Sequence, residues 1–206
     1  KKMSIVSLLN ALPGAVAQGL IWGIMAIGVY ITFRILDIAD LTVDGTLCTG
    51  GAVCIMMMQS GHNVWVSLLV ALIAGLLAGM LTGLLHTFMG IPAILAGILT
   101  QLGLYSVNLK IMGKSNQAIN VDKFDLLVSL RYIKNVAIYK NTILIVAVLI
   151  ILLVAALYWF FGTELGCSLR ATGCNDKMAR AQGINTDFNR VLGLMISNGL
   201  VAFSGA

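Results

Sequence analysis

Apolar runs recur along the whole chain and set what it can be. Five stretches, about 11–33, 44–60, 64–89, 91–112 and 142–162, meet or approach the roughly 20 mostly apolar residues that cross a hydrocarbon core of about 30 Å as a helix. A sixth run begins near Val191 and is still apolar at Ala206. It rises only about 24 Å at about 1.5 Å per residue, and its "FSGA" end has no aromatic or basic anchor, so the pattern predicts that this span continues past Ala206. The first run has no small-residue cleavage site after a short hydrophobic region and leads straight into more membrane sequence, so it reads as a span and not as a leader. The polar connection at 113–141 is the longest, and Phe124, Leu126, Leu127, Val128 and Leu130 predict a short interfacial helix in it. No stretch is left for a water-soluble core. The prediction is one all-α domain over 1–206, a polytopic transmembrane helical bundle.

Glycine refines the packing. Gly75, Gly79 and Gly83 recur at every fourth position of the third run, which puts them on one helical face where another backbone can approach closely. Gly19 and Gly23 repeat the spacing in the first run. Such stripes predict helix packing inside one subunit.

Composition agrees with the pattern: 10% of residues are charged, against about 25% in soluble domains, and mean hydropathy is +0.98. The net charge of +5 does not indicate nucleic acid, because the Lys and Arg residues fall between apolar runs without interleaved aromatics. Anionic lipid headgroups and topology explain them. Cys48, Cys54, Cys167 and Cys174 form no CxxC and have no His at zinc-ligand spacing, which predicts four reduced thiols and no metal site.

Enzymatic motifs fail one by one. "MGKS" at Met112–Ser115 has Asn108 where a phosphate-binding loop needs its first glycine, so ATP must be handled by another chain. "DG" at Asp44 and Gly45 is followed by no Ala-Arg pair and no acidic residue before Asp122, unlike membrane-embedded headgroup transferases. "GCSLR" lacks the second glycine of a nucleophile elbow, and His62 and His86 both abut span ends. No nucleophile is paired with a base.

"RILDIADLTVDG", Arg34 to Gly45, packs one Arg and three Asp between two spans. Asp37, Asp40 and Asp44 fall at i, i+3 and i+7, so a helix would place all three on one face, with Arg34 a turn before Asp37. A carboxylate at bilayer depth costs roughly 2.5 to 3.5 kcal/mol and needs an interface, a partner or a wet cavity. Two readings follow: a solvated surface turn, or a broken second span loosened by Gly45, Gly50 and Gly51 with polar groups facing a path through the membrane. The candidate path residues are Asp40, Thr42, Asp44, Thr46 and Gln101.

"GCSLRATGCNDKMARAQGINTD", residues 166–187, interrupts two apolar runs with charges of alternating sign. Asn175 is placed as an N-cap, Asp176 lies in the first turn, Lys177 and Arg180 lie toward the end, and Gly183 is a stop signal. The pattern predicts a short, self-capped, exposed helix with Met178 as its apolar knob, suited to docking in a groove of another protein.

"RATGCNDKMARAQGINTD" resembles the cytoplasmic loop of permease subunits of ABC importers of the branched-chain amino-acid and ribose type, and "GLIWGIMAIGVYITFRILDIADLTVDGTLCTGGAV" resembles their first two spans. "LDIADLTVDGT" is most similar to permeases paired with binding lipoproteins for aromatic amino acids. The resemblance implies two permease copies, two ATP-binding subunits that hold ATP and Mg, an external solute-binding protein, and a bacterial cell-membrane location. It makes 163–190 the coupling loop, with Asn175, Asp176, Lys177, Met178, Arg180, Gln182 and Gly183 meeting the ATP-binding subunit. It also places 113–141 outside with the N-terminus. Lys1, Lys2, Lys110, Lys114, Lys123, Arg131, Lys134 and Lys140 then lie outside, against Arg34, Arg170, Lys177, Arg180 and Arg190 inside, opposite to the positive-inside rule; the loop motif outweighs charges in a long outer loop. The residues alone leave open a proton-coupled secondary transporter using Asp37, Asp40 or Asp44, and the resemblance leaves open a sugar or nucleoside permease.

Overall fold

With no water in a bilayer core to pair free amides, apolar runs must pair them internally, and helices do this within one segment. In the computed structural model the described residues, 5–116 and 136–206, are helical with no strand among them. Helix α1, Ile5–Tyr30, runs into a π-helical turn at Ile31–Ile35. It is followed by α2 (Val43–Gln59), α3 (Val64–Thr87), α4 (Ala93–Met112) and α5 (Val136–Gly162). Two short helices, α6 (Glu164–Cys174) and α7 (Asp176–Ala181), lead into α8 (Thr186–Gly205). The all-α polytopic architecture is as the apolar pattern predicts.

Four helices are long and apolar enough to cross a membrane, over Gly14–Ile35, Val64–Thr87, Ala93–Met112 and Leu144–Gly162. Their polarity follows their neighbours. The Leu144–Gly162 segment has only 6% of its window buried in protein and the highest hydropathy of the four, 3.0, as a lipid-facing helix requires. Helix α8 packs against α1, α2, α3 and α6, and buries Ser197 and Asn198 with Gly193, Leu194, Gly199, Val201 and Ala202. Polar side chains are tolerated there because protein surrounds them.

The glycine stripe of α3 makes that central position possible. A methyl added to Gly75 would run into Ala202, one at Gly79 into the Leu194 carbonyl, and one at Gly83 would lie 2.9 Å from the Val191 Cα. The stripe thus packs within the chain, on α8. Gly19 and Gly23 have nothing within 4 Å of an added Cβ, so the same spacing in α1 marks no internal contact.

The chain breaks between α1 and α2. Leu36 N–H donates to Ile31 O at 3.1 Å, closing the π turn, and Ile38 N–H reaches Thr32 O at 3.0 Å. Asp37 then takes φ 55°, in the left-handed region, and residues 37–42 are not helical. The expected helical face of Asp37, Asp40 and Asp44 therefore does not exist. Arg34 is exposed and the ion pairs among the described residues lie in the 176–190 region, not at Arg34. A short aspartate side chain can serve the backbone in a turn, and this competes with helix formation. The break packs against α4, where a Cβ on Gly97, four residues or about 6 Å along that helix, would sit 2.9 Å from Leu41 N, and one turn on a Cβ on Gly45 would sit 3.1 Å from the Cα of Gln101. The break thus lies between the first span and α2, which is itself a continuous helix of 17 residues whose start, at Thr42, is buried in the bundle.

Boundaries shift elsewhere. Helix α5 starts at Val136 and not at 142, so the polar connection is shorter than 113–141, and Phe124–Leu130 lies outside the described residues. Helix α8 starts at Thr186 and not at Val191, because Asn185 caps it and its first turns project polar residues beyond the apolar run. Helix α6, unrecognised in the sequence, fills 164–174. At Gly113, φ 66° ends α4, which explains the glycine of "MGKS" without a phosphate loop.

Replacing Gly79 with Leu overpacks α3 against α8 and is expected to destabilise the purified protein by about 1 to 3 kcal/mol, read as a lower thermal midpoint in detergent. Gly19→Leu, with open space around it, is expected to leave that midpoint unchanged.

Candidate functional site

Two groups of residues stand out, one in the loop of α6 and α7, the other where α2 begins. In the loop, the Thr163 hydroxyl accepts from Gly166 N–H at 3.4 Å and starts α6, and Asn175 Oδ1 accepts from Met178 N–H at 3.1 Å and starts α7. Helix α7 ends in a complete glycine stop: Gly183, at φ 82°, donates to Arg180 O at 3.0 Å, and Ile184 N–H donates to Ala179 O at 3.1 Å. Asn185 Oδ1 then accepts from Phe188 N–H at 3.1 Å and opens α8. Three successive local caps fold this segment from its own sequence.

Its side chains divide into an inner and an outer set. Arg180 donates to Thr186 Oγ1 and to Asp187 Oδ1, both at 2.7 Å, and stands 3.6 Å from Asp176. Arg190 reaches the same Asp176 carboxylate at 3.3 Å. Arg180 thus ties α7 to the first turn of α8, an internal role that the mixed charges alone did not reveal. Asn189 Nδ2 donates to Thr172 Oγ1 at 2.9 Å and joins α6 to α8. Outward, Met178 is 59% exposed, and Lys177, Ala181, Gln182 and Gly183 are exposed around it. The result is an exposed polar surface on which Met178 is the large apolar side chain of α7, with Phe188 exposed in the first turn of α8.

The second group is internal. Asp40 Oδ1 accepts from Thr42 N–H at 2.8 Å, and its Oδ2 accepts from Asn198 Nδ2 at 2.6 Å. Asn198 also donates to Leu194 O at 3.1 Å and accepts from the Thr46 hydroxyl at 2.9 Å, which uses its whole amide. The Thr42 and Thr82 hydroxyls share a 2.9 Å hydrogen bond. Thr42, Thr46 and Asn198 are 0% exposed, so of the candidate path residues two are sealed in the bundle. Gln101 is half-buried beside Gly45, Asp40 is half-buried, and Asp44 is exposed on the outside of α2, with Leu41 and Cys48 flanking it.

Sequence reasoning missed Asn198, Thr82, Thr172 and Asn189. The signal available was "SN" at 197–198, two polar residues inside an apolar run, where an unpaired amide would be costly. Among the described residues no group of His, Cys, Asp or Glu could hold a metal ion, and all four cysteines are free thiols.

Among the described residues, four membrane-length helices with a folded polar loop at one end make a multi-pass membrane bundle. Residues 12–206 match the family model described as branched-chain amino acid transport system / permease component, and the chain belongs to that family of ABC permeases. It is 37% identical over 198 residues to a tyrosine transport system permease protein of Clostridioides difficile (strain R20291), a match that covers 96% of this chain and 64% of the relative. An uncharacterized protein of Rickettsia prowazekii (strain Madrid E) is 38% identical over 200 residues, with 96% of this chain and 67% of the relative covered. The chain thus spans about two thirds of the length of both relatives. No solved structure matches it. These relationships place it in the bacterial plasma membrane as a multi-pass permease.

Removing one N-cap costs about 1 kcal/mol, so Asn175→Ala is expected to speed amide hydrogen exchange in residues 176–183 by about fivefold, read by mass spectrometry. Because Thr46 is sealed and hydrogen-bonded, Thr46→Cys is expected to resist hydrophilic methanethiosulfonate reagents in the folded protein.

Proposed function

We propose that the chain is the permease of an ATP-driven importer for a small amino acid of the aromatic class, working as a homodimer with two ATP-binding subunits and an external solute-binding protein. The observation that carries this reading is α7: a short helix capped at both ends by its own sequence, held by Arg180 and Arg190, with Met178 and Lys177 facing out. An apolar knob with a polar rim is the anatomy of a protein-docking surface. Asn175, Asp176, Lys177, Met178, Arg180, Gln182 and Gly183 are the coupling residues, of which Lys177, Met178 and Gln182 meet the partner while Asp176, Arg180 and Gly183 hold the helix in shape. ATP and Mg belong to the partner.

Asp44 supports the remaining part. It is exposed on the bundle surface beside Gly45, whose neighbour Gln101 lies about 12 Å along α4, and a carboxylate facing lipid at depth costs roughly 2.5 to 3.5 kcal/mol. It therefore faces a wet path or the second permease copy. Asp40, Thr42, Asp44, Thr46 and Gln101 form the wall of that path, with Asp44 and Gln101 toward the solute and Thr42 and Thr46 behind them. The solute class follows from the tyrosine transport system to which the C. difficile relative belongs by name.

Expression with its neighbouring ATP-binding and solute-binding proteins, followed by reconstitution in vesicles, tests this. Tyrosine uptake should require ATP and survive collapse of the proton gradient; uptake that persists without ATP and stops with the gradient overturns the proposal. Met178→Asp is expected to weaken co-purification of the ATP-binding subunit by roughly tenfold while leaving membrane insertion intact. Arg180→Glu is expected to act differently, by loosening the loop itself, which faster exchange at 176–190 would register.

A further inference from the structure

We infer that Asn198 is a positioning residue that makes the non-helical segment 37–42 follow α8. The segment is fastened at two points. Next to its first residue, Gly173 of α6 lies against the Ile35 carbonyl and Leu36, so closely that a methyl there would collide with both. Leu36 is itself 4% exposed, and its side chain fills the notch at Gly193 of α8 beside Leu169 of α6. Near its last residue, Asp40 is held by Asn198 at 2.6 Å, and the same amide holds Thr46 in the first turn of α2 at 2.9 Å.

Both fasteners belong to helices that bracket α7. Helix α6 ends at Cys174, one residue before the Asn175 cap, and α8 begins at Thr186, which Arg180 grips directly. Asn198 lies twelve residues, about 18 Å, along α8 from Thr186. An α-helix transmits an axial displacement with little loss, so a pull on α7 arrives at Asn198 and, through it, at Asp40 and Thr46. Segment 37–42 is the non-helical stretch between α1 and α2, held mainly by side chains and not by a helical ladder, and hinges in proteins occur at loop and element-terminal positions. Asn198 suits the task because its amide meets three partners at once, two by donation and one by acceptance, so the contact has direction as well as strength. The hydrogen bond from Asn198 to Asp40 is also short, at 2.6 Å, and partly shielded from solvent.

This inference rests on the proposed ATP-driven import, and the test separates the two. In vesicles carrying the complete transporter, tyrosine taken up per ATP hydrolysed is measured for the parent protein and for Asn198→Asp, Asp40→Asn and the exchanged pair. Asn198→Asp sets two carboxylates against each other and is expected to lower solute moved per ATP roughly tenfold while ATP hydrolysis continues. Asp40→Asn with Asn198→Asp restores one donor facing one acceptor and is expected to recover most of the ratio. Equal losses of hydrolysis and transport without rescue by the exchange, or an unchanged ratio in Asn198→Asp, overturn the role of Asn198. Should Asn198→Asp fail to fold, Asn198→Gln and Asn198→Ser give the same readout, and an unchanged ratio in both is equally fatal. A parent protein that neither hydrolyses ATP with its partner nor imports tyrosine refutes the function itself, before Asn198 enters.

Discussion

A backbone that leaves helical geometry inside hydrocarbon has to find its hydrogen-bond partners in the protein, because lipid offers none. At residues 37–42 part of that demand is met by π-turn carbonyls and part by side chains, and the polar residues packed around the segment follow from it. Leu36 and Ile38 turn back to carbonyls of the π turn, Thr42 N–H is taken by the Asp40 side chain, and the second oxygen of Asp40 is taken by Asn198. Asn198 in turn needs an acceptor and a donor, supplied by Leu194 O and the Thr46 hydroxyl. The break between α1 and α2 is thus matched by polar residues on α2 and α8, and α8 can carry them because it is surrounded by other helices.

Close approach is what surrounds it. In a membrane, helix association gains little from burying apolar surface and depends on packing contact and hydrogen bonding. Glycines at Gly75, Gly79 and Gly83 admit α8 to α3, Gly50 admits Ala202, and Gly28 lies 2.9 Å, measured from an added Cβ, from Ser197 O. Ser197 and Ser204 hydrogen-bond to carbonyls of α1, Gly28 O at 2.7 Å and Ile21 O at 2.8 Å. These contacts fix the rotation of α8, and with it the direction in which Asn198 points.

What was legible in the sequence was what is local or imposed by the bilayer. Span existence follows from length and apolarity, and the ends of α7 from Asn175 and Gly183, whose caps act within four residues of themselves. The glycine stripe of α3 was legible as a face, although the identical spacing at Gly19 and Gly23 packs on nothing in the chain. The Asp37, Asp40 and Asp44 spacing misled, because helical periodicity does not register where a helix stops: the π turn ends at Ile35, Asp37 takes φ 55°, and the Asp40 side chain serves Thr42 N–H just before α2. Asn198 was illegible for a different reason: Asp40 is 158 positions away, and only the folded bundle brings the two together. Arg180 carried a visible charge, but its grip on Thr186 and Asp187 depends on the turn at Gly183 reversing the chain.

The loop from Thr163 to Arg190 rests through α6 on Ile35 and Leu36, but its turns are shaped from within by three side-chain caps, a glycine stop and ion pairs sharing Asp176 and Arg180. A surface that is folded before contact loses little conformational entropy when another protein settles on it, so more of the contact free energy is left to hold the two together. For a surface of that kind no ordering step precedes contact, and association is limited by collision and orientation instead of by folding.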